Sequence, residues 1–192
     1  MAKKYEFRPD KPRTSLLSHL MPTKQQQKTL LKWSLYGLLL VVLSVVQDTL
    51  LSRVRLWGAT TELVPCGIFL ICILVGTQSG SLFSLIAGLL YLFSGTAPGP
   101  YSMVFITFLG IGVCMLRQAF LQPSFSAACL CSALAMLLYE GLNFGFGLVL
   151  GLTHLSRIGG FFITAVLSLL AVPILYPIFK AIGAIGGQSW KE

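Results

Sequence analysis

The chain has 192 residues, of which 55% are apolar and only 10% charged, and its mean hydropathy is +0.82. An average soluble domain carries about 25% charged residues, so this balance excludes a soluble globular domain. Thirteen Phe, six Tyr and three Trp among long aliphatic runs exclude disorder beyond the N-terminus. At roughly 20 residues per span, the sequence predicts an all-α polytopic membrane protein, a bundle of about six transmembrane helices, with little chain left for a soluble catalytic module.

The formal charge of +8 is concentrated at the start. Residues 1–32 hold eight of the fourteen Lys and Arg, against Glu6 and Asp10. This stretch reads as a basic cytoplasmic segment held against anionic lipid, with Lys24, Lys28 and Lys32 nearest the bilayer, each basic residue adding about 1 kcal/mol. Nucleic-acid binding is the weaker reading, because no folded basic face or RNA-binding motif accompanies the charges. A secretory signal is not expected, since the first apolar run begins only at Trp33.

Pro9, Pro12 and Pro22 keep the first residues irregular. Thr23 followed by Gln26 fits a capping box, so a helix is predicted to start there and to project from the membrane before the first span. Spans are predicted at 33–51, 62–77, 79–95, 102–118, 124–152 and 158–180. Together they make a transmembrane domain of residues 33–180, with a short cytoplasmic tail at 181–192. Gly76 to Gly80 is too tight for anything but a helical hairpin, and Gly95 to Pro100 forms an outer turn. The fifth stretch is too long for the bilayer, and its glycines predict tilting, a break or a protruding outer end. Six spans put eleven basic residues on the side of the termini and three (Arg53, Arg55, Arg157) on the other, which makes both termini cytoplasmic.

Five cysteines lie in apolar runs and read as small hydrophobes, with no metal spacing among them. Glu140 falls near the middle of the fifth span, where a charge costs on the order of 3 kcal/mol unless it faces protein or water. It either fixes helix packing through hydrogen bonds or serves a ligand, proton or partner. Gly141-x-x-x-Gly145 and Gly147-x-x-x-Gly151 allow close helix approach on different faces; packing within the bundle is their expected use, and Gly147 and Gly151 near the outer end also offer a groove to a partner. Arg53, Arg55, Trp57 and Glu62 read either as interfacial anchors or as an outer docking rim. His19 and His154 lie on opposite sides of this topology. No nucleophile and base, metalloprotease pair or aspartate cluster appears, so enzyme activity and a cofactor or metal are not expected.

The order of features is similar to one family. A basic tail, a first span ending Val45-Val46-Gln47-Asp48-Thr49-Leu50-Leu51, the segment Leu56-Trp57-Gly58-Ala59-Thr60-Thr61-Glu62-Leu63-Val64-Pro65, the run Gly80-Ser81-Leu82-Phe83-Ser84-Leu85-Ile86-Ala87-Gly88-Leu89-Leu90 and a Gly/Pro turn resemble the bacterial rod shape-determining protein MreD family over most of residues 33–180. That family tends to carry a glutamate in its fifth span, where Leu138-Tyr139-Glu140 falls; Leu92 stands roughly where its members often have an acid. The resemblance implies a non-enzymatic subunit of the cell-wall elongation complex in the bacterial cytoplasmic membrane. It also implies an MreC-like scaffold partner and, through it, MreB, RodA and a class B penicillin-binding protein. The alternative is the substrate-binding subunit of an energy-coupling-factor vitamin transporter. The first span lacks the Ala-x-x-x-Ala face by which that family docks its transmembrane partner.

Overall fold

A computed structural model describes residues 24–51, 59–120 and 124–185 of the chain. They form seven α-helices: α1 Lys24–Val46, α2 Leu63–Val75, α3 Thr77–Phe93, α4 Tyr101–Phe120, α5 Phe125–Val149, α6 Ile158–Leu169 and α7 Val172–Ala184. A π-helical turn, Gln47–Leu51, prolongs α1, and a 3₁₀ turn, Leu155–Arg157, leads into α6. Three helices are long and apolar enough to cross a membrane, Gln25–Leu51, Tyr101–Gln118 and Phe125–Val149, and a fourth crossing results if the bent pair α6 and α7 counts as one. Side chains such as Leu38, Val41 and Val45 on α1, Phe93 on α3 and Phe108 and Met115 on α4 are exposed. An apolar exterior of this extent belongs in lipid, and the chain is a helical membrane protein.

α2 is the axis of the bundle. Its sequence, Leu-Val-Pro-Cys-Gly-Ile-Phe-Leu-Ile-Cys-Ile-Leu-Val, has no polar face, and a helix apolar all round belongs inside. Every residue from Leu63 to Leu74 is buried, and all six other helices pack against it. Thirteen residues extend about 20 Å, so α2 is shorter than the hydrocarbon core; its first residues are buried, and its last turn leads to the exposed hairpin at Gln78. Gly67 lets α1 and α7 close on it: a Cβ there would sit 3.1 Å from Leu43 Cδ1 and 3.4 Å from Phe179 Cζ.

The hairpin expected after α2 is present and is reduced to one linking residue, Gly76, whose φ of 109° is open to glycine and strained for other residues. α3 and α4 then pack through Gly80, Ser84 and Gly88 on one side and Gly110 on the other. A Cβ on Gly110 would meet Ser84 Cβ at 2.6 Å, and one on Gly80 would meet Cys114 Sγ at 2.7 Å. This small-residue seam was not among the glycine pairs singled out from the sequence, although its Gly-x-x-x-Ser-x-x-x-Gly spacing is the same signal.

The stretch 158–180 is not one helix but two, bent by 46°, which can still make one broken span. Pro173 lacks an N–H and its ring collides with the carbonyl four residues back, and α6 ends at Leu169, that residue. The fifth stretch does not break: α5 is continuous for 25 residues and stops at the turn Leu150–Gly151. α1 begins at Lys24, where the capping-box reading at Thr23 starts the helix, and so runs nine residues ahead of the predicted span. Residues 1–23, 52–58 and 186–192 lie outside the described set, and with them most of the basic segment and the tail. Lys28 is exposed, whereas Lys32 is partly buried and within electrostatic reach of Arg117 at the C-terminal end of α4.

Candidate functional site

The polar atoms of the bundle gather where α2 begins. A buried helix start leaves backbone N–H groups without intrahelical partners, and here other helices satisfy them. Gln47, the first residue of the π-helical turn, accepts a hydrogen bond through Oε1 from the Val64 N–H at 3.0 Å. Ser168 Oγ, at the end of α6, accepts from the Glu62 N–H at 2.8 Å and donates to the Thr164 carbonyl at 2.8 Å. Pro65 follows with no N–H to satisfy. The π-helical turn and the α6–α7 break thus meet at one point, the N-terminus of α2.

Glu62 is the N-cap residue of α2, and its side chain makes no capping bond. The Tyr91 hydroxyl, from the last turn of α3, lies 3.4 Å from both Glu62 Oε2 and the Thr96 carbonyl, so its proton serves one of two long bonds at a time. The Tyr139 hydroxyl of α5 faces the same carboxylate without completing a hydrogen bond. Asn143, one turn further along α5, lies beside Tyr139, and neither of its amide atoms is hydrogen bonded. Glu140 is 4% exposed, its Oε1 has no hydrogen-bond partner, and it lies within electrostatic reach of Glu62. Tyr139, Glu140 and Asn143 share a face because α5 advances 100° per residue.

This corrects one reading. Glu62 is not part of an exposed rim: it is buried at the start of α2. Among the described residues it is a second buried carboxylate beside Glu140. A cleft of about 130 Å³ lined by Gln47, Asp48, Thr60, Thr61, Glu62 and Thr96 reaches Glu62 from the surface.

The other candidate residues are not gathered here. Arg53, Arg55 and Trp57 lie outside the described residues, and so does the side chain of Lys24. Gly151 does not line a groove: its φ of 71° and the bonds Gly151 N to Leu148 O (3.1 Å) and Leu152 N to Gly147 O (2.8 Å) make it the residue that ends α5. Gly147 is buried under Thr153, whose Cγ2 would be 3.2 Å from an added Cβ. Gly141 and Gly145, expected inside the bundle, instead face outward with nothing within 4 Å of an added Cβ. All five cysteines are free thiols. His154 is exposed in the turn before α6.

Carboxyl, phenol and amide groups can hold a proton, a cation or a polar partner. Among the described residues this centre has no nucleophile beside a base. No family model matches the chain, and no curated protein or solved structure is significantly similar to it.

Proposed function

We propose that the chain is a non-enzymatic integral membrane subunit of the bacterial cell-wall elongation machinery, an MreD-like protein that acts by binding an MreC-like scaffold in the cytoplasmic membrane. The observation that carries the reading is the convergence of the segments that resemble the MreD family. Gln47, Glu62 and Val64, from two successive segments, meet Glu140 of the fifth span around the start of α2. Those motifs therefore act as one structural unit. In this reading the chain crosses the membrane six times, with α2 and α3 as short spans and α6 with α7 as one bent span. Lys32 and Arg117 at one end of the bundle support placing that end, and both termini, in the cytoplasm. The basic N-terminal segment then lies against anionic lipid, and MreB, RodA and a class B penicillin-binding protein are reached through the scaffold.

The outer loop with Arg53, Arg55 and Trp57 is the proposed contact for the scaffold's membrane anchor, because charges and an interfacial aromatic fix orientation better than apolar packing in lipid. Gly141 and Gly145, open on the α5 surface, are a second candidate contact. The vitamin-transporter alternative is less well supported: small-molecule sites usually occupy about 300–1,000 Å³, well above the cleft at Glu62. Depletion of the protein in its own rod-shaped host tests the reading. Rounded cells restored by the wild-type chain are the expected result; unchanged rods would refute it.

A further inference from the structure

We propose that the Glu62 and Glu140 centre is a binding site for one hard metal cation of the sodium or calcium class, entered through the cleft at Thr60, Thr61 and Thr96. The inference rests on the geometry of the centre and not on the scaffold partner.

Two carboxylates on different helices, α2 and α5, are buried within electrostatic reach of each other, and among the described residues neither has a Lys, Arg or His beside it. Buried charges in proteins are paired or bound to metal, because unpaired they give up their hydration for nothing. A second observation comes from their neighbours. Asn143 is 2% exposed with both amide atoms unbonded, and Tyr139 is fully buried with its hydroxyl unbonded. Tyr139 faces Glu62, and Asn143 stands beside Tyr139. One proton shared by the two acids would still leave one negative charge, and it would leave the Asn143 amide and the Tyr139 hydroxyl unbonded. A cation would meet the charge and draw on neighbouring oxygens.

The chemistry of the donors selects the ion. Carboxylate, amide carbonyl and phenol are oxygen ligands, and no imidazole or thiol joins them, which favours hard cations over zinc or copper. Among the described residues no group of three or more His, Cys, Asp or Glu could hold a metal ion, so the proposed site has two carboxylates and takes its remaining ligands from amide and phenol oxygens. The cleft holds the volume of about four waters, enough for an ion shedding its hydration shell. Glu62 lines the cleft and also faces Tyr91 and Tyr139, so it is the group that passes the ion inward.

The experiment uses the full chain purified in detergent, treated with EDTA and exchanged into choline chloride, then titrated with sodium chloride and with calcium chloride. Binding is followed by calorimetry and thermal unfolding by tryptophan fluorescence. One of the two salts should give a saturable isotherm near one ion per chain and raise the Tm by several degrees, whereas more choline chloride should not. Glu140→Gln and Asn143→Leu should each weaken that binding about tenfold or more, a loss of about 1.4 kcal/mol. Asn143→Leu keeps both carboxylates and serves if Glu140→Gln does not fold. Absence of a saturable response to either salt, or wild-type affinity in whichever of these variants fold, would overturn the proposal. Whether the scaffold partner co-elutes is read separately and does not alter either result.

Discussion

Gln47 on α1 and Val64 on α2 are joined side chain to backbone at 3.0 Å, so the start of the central helix is capped by a residue seventeen positions earlier. The π-helical turn matters here, because π-bulges re-aim side chains and recur at functional positions; this one begins at the residue that reaches Val64. Replacing Gln47 by Leu keeps the bulk and leaves a buried N–H unbonded, which costs about 1–3 kcal/mol. Ser168→Ala should cost a similar amount by freeing the Glu62 N–H. Ser44→Ala, which removes only a local bond to the Leu40 carbonyl, should stay within about 0.5 kcal/mol of wild type. Thermal unfolding in detergent compares the three; equal stability for Gln47→Leu and Ser44→Ala would remove the capping role.

Glu140 is expected to be destabilising in the absence of bound cation. Its Oε1 has no hydrogen-bond partner and the Glu62 charge is nearby, so the substitution removes a penalty and breaks no bond made by that oxygen. Glu140→Gln should therefore raise stability in choline chloride by about 1–3 kcal/mol. A drop of that size, measured by the same unfolding assay, would mean that the carboxylate is bonded in the folded protein.

The two kinds of glycine should separate cleanly. Gly110→Leu forces a side chain into Ser84 at the α3–α4 seam and should cost at least about 2 kcal/mol or abolish folding. Gly141→Leu enters open space on the exterior of α5, replaces a poor helix former and should leave stability unchanged or slightly higher. Yield of monodisperse protein and melting temperature measure both. A folded Gly110→Leu with wild-type stability would contradict the seam.

The orientation has its own test. In a chain freed of its five native cysteines, single cysteines at Leu152, exposed in the turn after α5, and at Gln78, exposed at the α2–α3 hairpin, should differ toward an impermeant thiol reagent added outside cells. Leu152→Cys should label and Gln78→Cys should not. The reverse pattern would invert the proposed topology.

Much of this architecture is legible in the chain. An apolar run without a polar face announces a buried α2, and a lone glycine between two apolar helices announces the hairpin. Pro173 carried the information that splits the last apolar stretch, but hydropathy averages over a window and does not weigh one missing N–H. Glu62 is harder to place. It adjoins charged and interfacial residues, so its local sequence reads as an outer rim, and only the shortness of α2, set by Pro65 and Gly76 and by packing on all six other helices, sinks it beside Tyr139. The glycines of α5 mislead for a related reason: spacing defines a face, and tertiary contacts decide which face is covered. Gly151 takes φ of 71° to end the helix, so it cannot extend a helical groove.

The central claim is that this chain works as a binding subunit, and the most direct measurement is co-purification of the full chain with the MreC-like protein of the same host from solubilised membranes. The account predicts a stable complex at fixed stoichiometry. It also predicts that the Arg55→Glu, Trp57→Ala double variant loses most of that complex while remaining monodisperse alone. Elution of the wild-type chain free of the scaffold, at concentrations where both are folded, would contradict it.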